Sequence, residues 1–158
     1  MPAQLQARMN ALRRAHYPPE RNRVAAHVTL FHTLPPFCEQ ELRELLARVV
    51  AANPPPPARL EGVMPLGGGT AVRLTSPALL ALRDGIADRF DTLLSPQDRH
   101  TPRLHITIQN KVAPREARAL QEQLAPVLAP LDFRFAGLAL HAWLGGPWQA
   151  LKRWSFRG

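Results

Sequence analysis

HVTL at residues 27–30 returns as HITI at residues 105–108, seventy-eight positions further along a chain of 158 residues. Each copy sits inside a run that alternates apolar and polar side chains, AAHVTLFHTL over 25–34 and RLHITIQNKV over 103–112, which is the period of a β-strand. Successive side chains of a strand point to opposite faces, so His27, Thr29 and Phe31 are expected on one face, with Val28 and Leu30 turned to the core. The same period puts His105, Thr107, Gln109 and Lys111 together, opposite Leu104, Ile106, Ile108 and Val112. A row of His, Thr, Gln and Lys backed by apolar side chains reads as the wall of a wet cleft.

The match between the halves extends beyond the motif. At the same offset Pro18 falls on Pro96, Arg21 on Arg99, Pro36 on Pro114, Leu42 on Leu120, Leu46 on Leu124, Ala47 on Ala125 and Val49 on Val127, with no gap in register. An ordered set of this length indicates a duplicated unit of strand, helix, His strand, helix and strand. Neither copy is large enough to bury a core alone, so the two are expected to pack as lobes of one domain. The expected fold class is α+β: a bilobal, pseudo-twofold duplicated fold with two antiparallel-rich sheets lining a central cleft and helices packed outside. One domain is expected over 1–158, with lobe one at about 1–66, lobe two at about 70–140 and a C-terminal hairpin strand at about 147–157.

Local signals place the elements. Leu5, Met9 and Leu12 mark an amphipathic helix broken by HYPP, and Pro36 opens a helix whose stripe is Leu42, Leu45, Leu46 and Val49. The run of four prolines, 54–57, ends it. ARLEGVMPL and TAVRLT read as strands flanking the hairpin glycines Gly67, Gly68 and Gly69. Helices are expected over 77–94 and 114–128. FRFAGLALHAWL and WQALKRWSF, separated by GGP, close the chain as a hairpin. The counterpart of Val72 to Leu74 would lie before Met1, so lobe one is expected to have an unfilled sheet edge.

Composition narrows the classes of function. The single Cys38 excludes an internal disulfide and a cysteine-based metal site. No apolar run approaches the roughly 18 residues of a membrane span, and MPAQLQARMN lacks the basic-then-apolar order of a signal peptide. A cytoplasmic, soluble monomer with no membrane partner is expected. The formal charge of +8 fits a polyanionic partner. Only Lys111 and Lys152 are lysines, however, and an Arg-Ala-Pro bias can arise from coding composition alone, so charge supports an anionic substrate without establishing one.

Two imidazoles and two hydroxyls facing each other across a pseudo-twofold suit phosphodiester chemistry. Near neutral pH a neutral His takes a proton from an attacking hydroxyl or water while a protonated His gives one to the leaving oxygen. Thr hydroxyls can hold the non-bridging phosphate oxygens. No metal or other cofactor is required. His27 and His32 fall on opposite strand faces and so cannot share a metal, and a lone H-x-T is in itself more often a structural or surface histidine.

At these residues the sequence resembles the two-histidine phosphoesterase superfamily, specifically the LigT-like family of 2′-5′ RNA ligases and 2′,3′-cyclic phosphodiesterases. AHVTLFHTLP and RLHITIQNKV match its two H-x-T-hydrophobic motifs. The resemblance implies that His27 and His105 are the acid/base pair and Thr29 and Thr107 the phosphate binders. It implies a nucleotide or RNA substrate with a 2′,3′-cyclic or 2′-5′ linkage, hydrolysed or, at RNA ends, joined without ATP. Lys111, Gln109 and Phe31 are candidate substrate contacts from the shared strand faces. Phe31, Trp143 and Trp148 could stack a base, although each is more often core or rim. His16, His32 and His100 are expected on the surface. A second reading stays open: a non-catalytic nucleotide- or RNA-binding module that retains the cleft.

Overall fold

The computed structural model describes residues 1–146 and 148–157; Pro147, within the expected GGP turn, lies outside them. Among the described residues four α-helices and six strands follow one another: α1 Ala3–His16, α2 Glu39–Ala52, β1 Pro57–Pro65, β2 Gly69–Thr75, α3 Pro77–Arg89, β3 His105–Asn110, α4 Pro114–Leu124, β4 Leu131–Arg134, β5 Gly137–Trp143 and β6 Trp148–Ser155. The class is α+β. One sheet has the order β3-β2-β1-β4 and the other pairs β5 with β6. β1 with β2, β2 with β3, and β5 with β6 all run antiparallel.

Helix starts follow local chemistry. Pro77 opens α3 behind Ser76, whose hydroxyl accepts from the Leu79 N–H at 3.2 Å. Pro114 likewise stands at the first position of α4, there without a side-chain cap. Pro36 opens a short 3-10 turn that leads into α2, and the proline run from residue 54 to residue 57 follows the end of that helix. Both later helices are shorter than expected. α3 ends at Arg89, with a 3-10 turn at Asp91–Leu93 beyond it, and α4 ends at Leu124.

Two compact units make up the chain, each from three stretches: Met1–Thr29, Arg59–Thr75 and Arg103–Phe133 in the first, Leu30–Ala58, Ser76–Pro102 and Arg134–Gly158 in the second. Each unit draws on both halves of the sequence, whereas the duplication suggests consecutive lobes. In the first unit α1 packs on β3 and α4 on β2. Its core comprises Leu5 and Met9 from α1, Leu60, Val72, Leu74, Ile106 and Ile108 from the sheet, and Ala117, Leu120 and Leu124 from α4. In the second unit α2 packs on the β5–β6 hairpin, and Leu42, Leu46, Val50, Leu138, Trp154 and Phe156 are buried.

Two departures from the strand pattern matter. AAHVTLFHTL does not form a strand: it is bent, and among the described residues its one ladder contact is a single antiparallel bridge from Val28 to Ile106. FRFAGLALHAWL is not one strand but two, β4 in the four-stranded sheet and β5 in the hairpin. Gly137 opens β5 because a Cβ there would collide with the Trp154 carbonyl. Its missing side chain lets β5 and β6 close at that end.

Candidate active site

The segment carrying His27 is held by helix side chains in place of strand neighbours. Along one edge of α1, Gln6, Asn10 and Arg13 recur at helical spacing and reach its backbone. Gln6 Nε2 donates to the Ala26 carbonyl at 2.7 Å, the Ala26 N–H donates to Asn10 Oδ1 at 2.8 Å, and Arg13 Nη2 donates to the Val24 carbonyl at 3.1 Å. These bonds satisfy backbone groups that a ladder would otherwise pair. Arg13 reaches furthest. Its Nη1 donates to the Thr107 carbonyl at 2.6 Å, while Nε and Nη2 grip Asn22 Oδ1 at 3.2 and 2.9 Å. It is buried, with its guanidinium 4.3 Å from the centre of the Tyr17 ring. Burial draws its pKa below the ordinary value, against a smaller opposing effect of Tyr17. One cation thus ties the Thr107 end of β3 to the strand-like segment bearing the first motif.

The Val28–Ile106 bridge joins the middle residues of the two H-x-T motifs. Continued as a regular antiparallel ladder, that register would set His27 opposite Thr107 and Thr29 opposite His105, on the face away from Val28 and Ile106. In a regular ladder a diagonal pair in those positions is about 7–8 Å apart, its Cβ atoms somewhat closer. His27 is exposed; Thr29, His105 and Thr107 are half-buried. The two rings are anchored alike: His27 Nδ1 lies 2.7 Å from the Ala25 carbonyl and His105 Nδ1 lies 2.7 Å from the Arg103 carbonyl. A carbonyl oxygen can only accept, so Nδ1 carries a proton in each ring.

The row of four polar residues expected on β3 ends after Thr107. Register shifts between Thr70 and Ala71 of β2, and Ile108 and Gln109 are both buried. A β-bulge reverses the alternation, so Gln109 turns inward to Thr70 Oγ1 at 3.5 Å and not onto the His105 face. Gly69 permits the close approach, because a Cβ there would strike the Gln109 carbonyl. Lys111 lies beyond the strand in left-handed backbone conformation, φ 59°, with its N–H on Asn110 Oδ1, so strand alternation does not place its side chain.

Phe31 belongs to the second unit and lies beneath the buried Arg83 guanidinium, 4.8 Å from its ring centre. His32 is in the same unit and is exposed, as expected. Its Nδ1 donates to Asp98 Oδ1 at 2.8 Å. His16 is the last residue of α1 and His100 is exposed.

One residue missed in the sequence joins the site. Arg73 on β2 pairs directly with His105, which puts its exposed side chain on the histidine face, and it makes no salt bridge among the described residues. TAVRLT showed an arginine between apolar neighbours, but nothing in it named the partner strand. Among the described residues no group of three or more His, Cys, Asp or Glu is placed to hold a metal ion.

Two H-x-T motifs bridged at their middle residues, with histidines anchored alike, mark this site, and the sequence profile of the 2′-5′ RNA ligase superfamily matches residues 1–147. The chain belongs to the 2′-5′ RNA ligase superfamily. That superfamily comprises phosphoesterases and ligases acting on RNA or nucleotides. The fold of this chain is shared with the crystal structure of TT0787 of Thermus thermophilus, at a TM-score of 0.63 and 21% identity over 100% of this chain and 94% of that one. No curated protein matches the sequence. Among the described residues no helix of this superfamily member is long and apolar enough to cross a membrane.

Proposed function

We propose that this chain is a metal-independent phosphoesterase that hydrolyses 2′,3′-cyclic or 2′-5′ phosphodiester linkages in nucleotides or at RNA ends, with ATP-independent joining of RNA ends as a related reaction. The observation that carries it is the bridge between Val28 and Ile106, the middle residues of two H-x-T motifs whose histidines are anchored alike, which supports a shared face for both histidines and both threonines.

In hydrolysis of a cyclic phosphate, Nε2 of the neutral histidine accepts a proton from water as the water oxygen bonds to phosphorus. The ester bond to one ribose oxygen breaks, and the other histidine, protonated at both nitrogens, gives its Nε2 proton to that oxygen. The product is a phosphomonoester and the two rings have exchanged protonation states. Thr29 and Thr107 hold the non-bridging oxygens and keep phosphorus between the rings. Arg73 balances phosphate charge beside His105. If a 5′-hydroxyl attacks in place of water and the 3′-oxygen leaves, the same proton transfers produce a 2′-5′ linkage, driven by the ring ester and without a triphosphate.

A binding-only module has no need for matched tautomers on both histidines, which favours turnover. The test is incubation with a 2′,3′-cyclic mononucleotide in EDTA, followed by phosphorus NMR. A phosphomonoester is expected, and a chelator-sensitive rate restored by a divalent ion would show a different mechanism.

A further inference from the structure

The β5–β6 hairpin exposes an aromatic and cationic face that the site above does not use. Register sets Trp143 opposite Trp148, His141 opposite Ala150 and Ala139 opposite Arg153. Alternation along β5 therefore gathers Trp143, Trp148, His141 and Arg153 on one face, while Leu138 and its partner Trp154 are buried on the side that α2 covers. The two exposed rings lie 5.2 Å apart between centroids and are tilted by 50°. Trp143 is 57% exposed and Trp148 42%. A tilted pair leaves ring surface open to a third flat group, and tryptophan so placed is characteristic of a binding surface.

The charge along this stretch of chain has one sign. From residue 134 to residue 157 there is no Asp or Glu, while Arg134, Lys152, Arg153 and Arg157 are cationic. Lys152, Arg153 and Arg157 make no salt bridge among the described residues. Arg153 stands opposite Ala139, about 13 Å along the strand from the tryptophan pair at ~3.3 Å per residue. The register shift between Leu140 and His141 leaves Leu151 as the extra residue and keeps Arg153 on the tryptophan face. Aromatic rings followed by an uncompensated arginine match alternating bases and phosphates.

We propose that this face binds single-stranded RNA, a base stacking on the Trp143–Trp148 pair and a neighbouring phosphate meeting Arg153. The choice of nucleic acid over other anionic partners rests on the phosphoesterase reading. The face widens that reading, because it would select polymeric substrates over mononucleotides.

The test is fluorescence anisotropy with a fluorescein-labelled single-stranded RNA decamer bearing a 3′-hydroxyl, which lacks the reactive linkage. Trp143→Ala and Trp148→Ala should each weaken binding about tenfold, a loss of one stacking contact. Arg153→Ala should weaken it and lower the salt slope by roughly 0.7, the value of one phosphate contact on a single strand. Trp143→Phe should retain most affinity, and circular dichroism should show all variants folded. Unchanged RNA affinity in both tryptophan variants overturns the proposal. So does Trp143-dependent binding to phosphatidylglycerol vesicles without RNA binding, or Trp143-dependent self-association in sedimentation without it. Trp143-dependent RNA binding by a protein that turns over no cyclic phosphate supports this face and sinks the phosphoesterase reading. Turnover of a cyclic mononucleotide without RNA binding does the reverse.

Discussion

Among single residues, the proposed chemistry rests on two imidazoles whose Nδ1 protons are committed to carbonyls two positions back. His27→Ala and His105→Ala should each lower kcat/KM by about 10²–10⁴, the usual worth of general acid–base help, with the double variant far from the product of the two. Wild-type turnover in either single variant, on a substrate the parent cleaves, would sink the two-histidine mechanism. Arg73 predicts a different signature. Phosphate carries its charge before and during reaction, so Arg73→Ala should raise KM about tenfold with a smaller change in kcat. A loss confined to kcat would instead make Arg73 a partner of the transition state alone.

Among the elements, α1 and the loop after α3 hold the motif segments through polar side chains. Arg13→Ala leaves the Thr107 and Val24 carbonyls without their donor and should cost about 1–3 kcal/mol in chemical denaturation. Because the same bonds align the two motifs, kcat should fall as well; a stability loss with unchanged kcat would restrict Arg13 to folding. Asp98 performs a similar task in the second unit. Burial pushes its carboxyl up, but the His32 N–H and imidazole, the Ser95 hydroxyl and the Thr33 N–H together outweigh it and hold the pKa below the ordinary 3.8. A depressed folded pKa stabilises above the unfolded value and is lost as pH falls through the folded one. Asp98→Asn should therefore lower Tm near neutral pH, by the equivalent of about 1–3 kcal/mol, and the gap to the parent should close below about pH 4. A gap that persists in acid would mean that the charge is not what matters.

Across the whole molecule, the proposed mechanism requires the two histidines to be in opposite protonation states at once. The rate on a cyclic phosphate should rise and fall through one maximum, its two limbs reporting apparent values of the pair and not of either ring. A rate that climbs monotonically across pH 5–9 would leave only one titrating group. Both motifs lie in the compact unit built from Met1–Thr29, Arg59–Thr75 and Arg103–Phe133, so the chemistry depends on that unit retaining its fold.

Local patterns in the chain were enough for the α+β class and the family, because each H-x-T and its strand period are written within a few positions. They were enough for the starts of α3 and α4, where proline chemistry acts on the next turn. Long-range packing alone makes the first motif a single bridge and not a strand, since Gln6, Asn10 and Arg13 take up backbone bonds that an alternating pattern assigns to a neighbour. Packing also turns Gln109 inward at a bulge, separates β4 from β5 at Gly137 and stands Arg73 beside His105. Each of these depends on which distant backbone lies alongside, and alternation within one strand is the same whatever its partner.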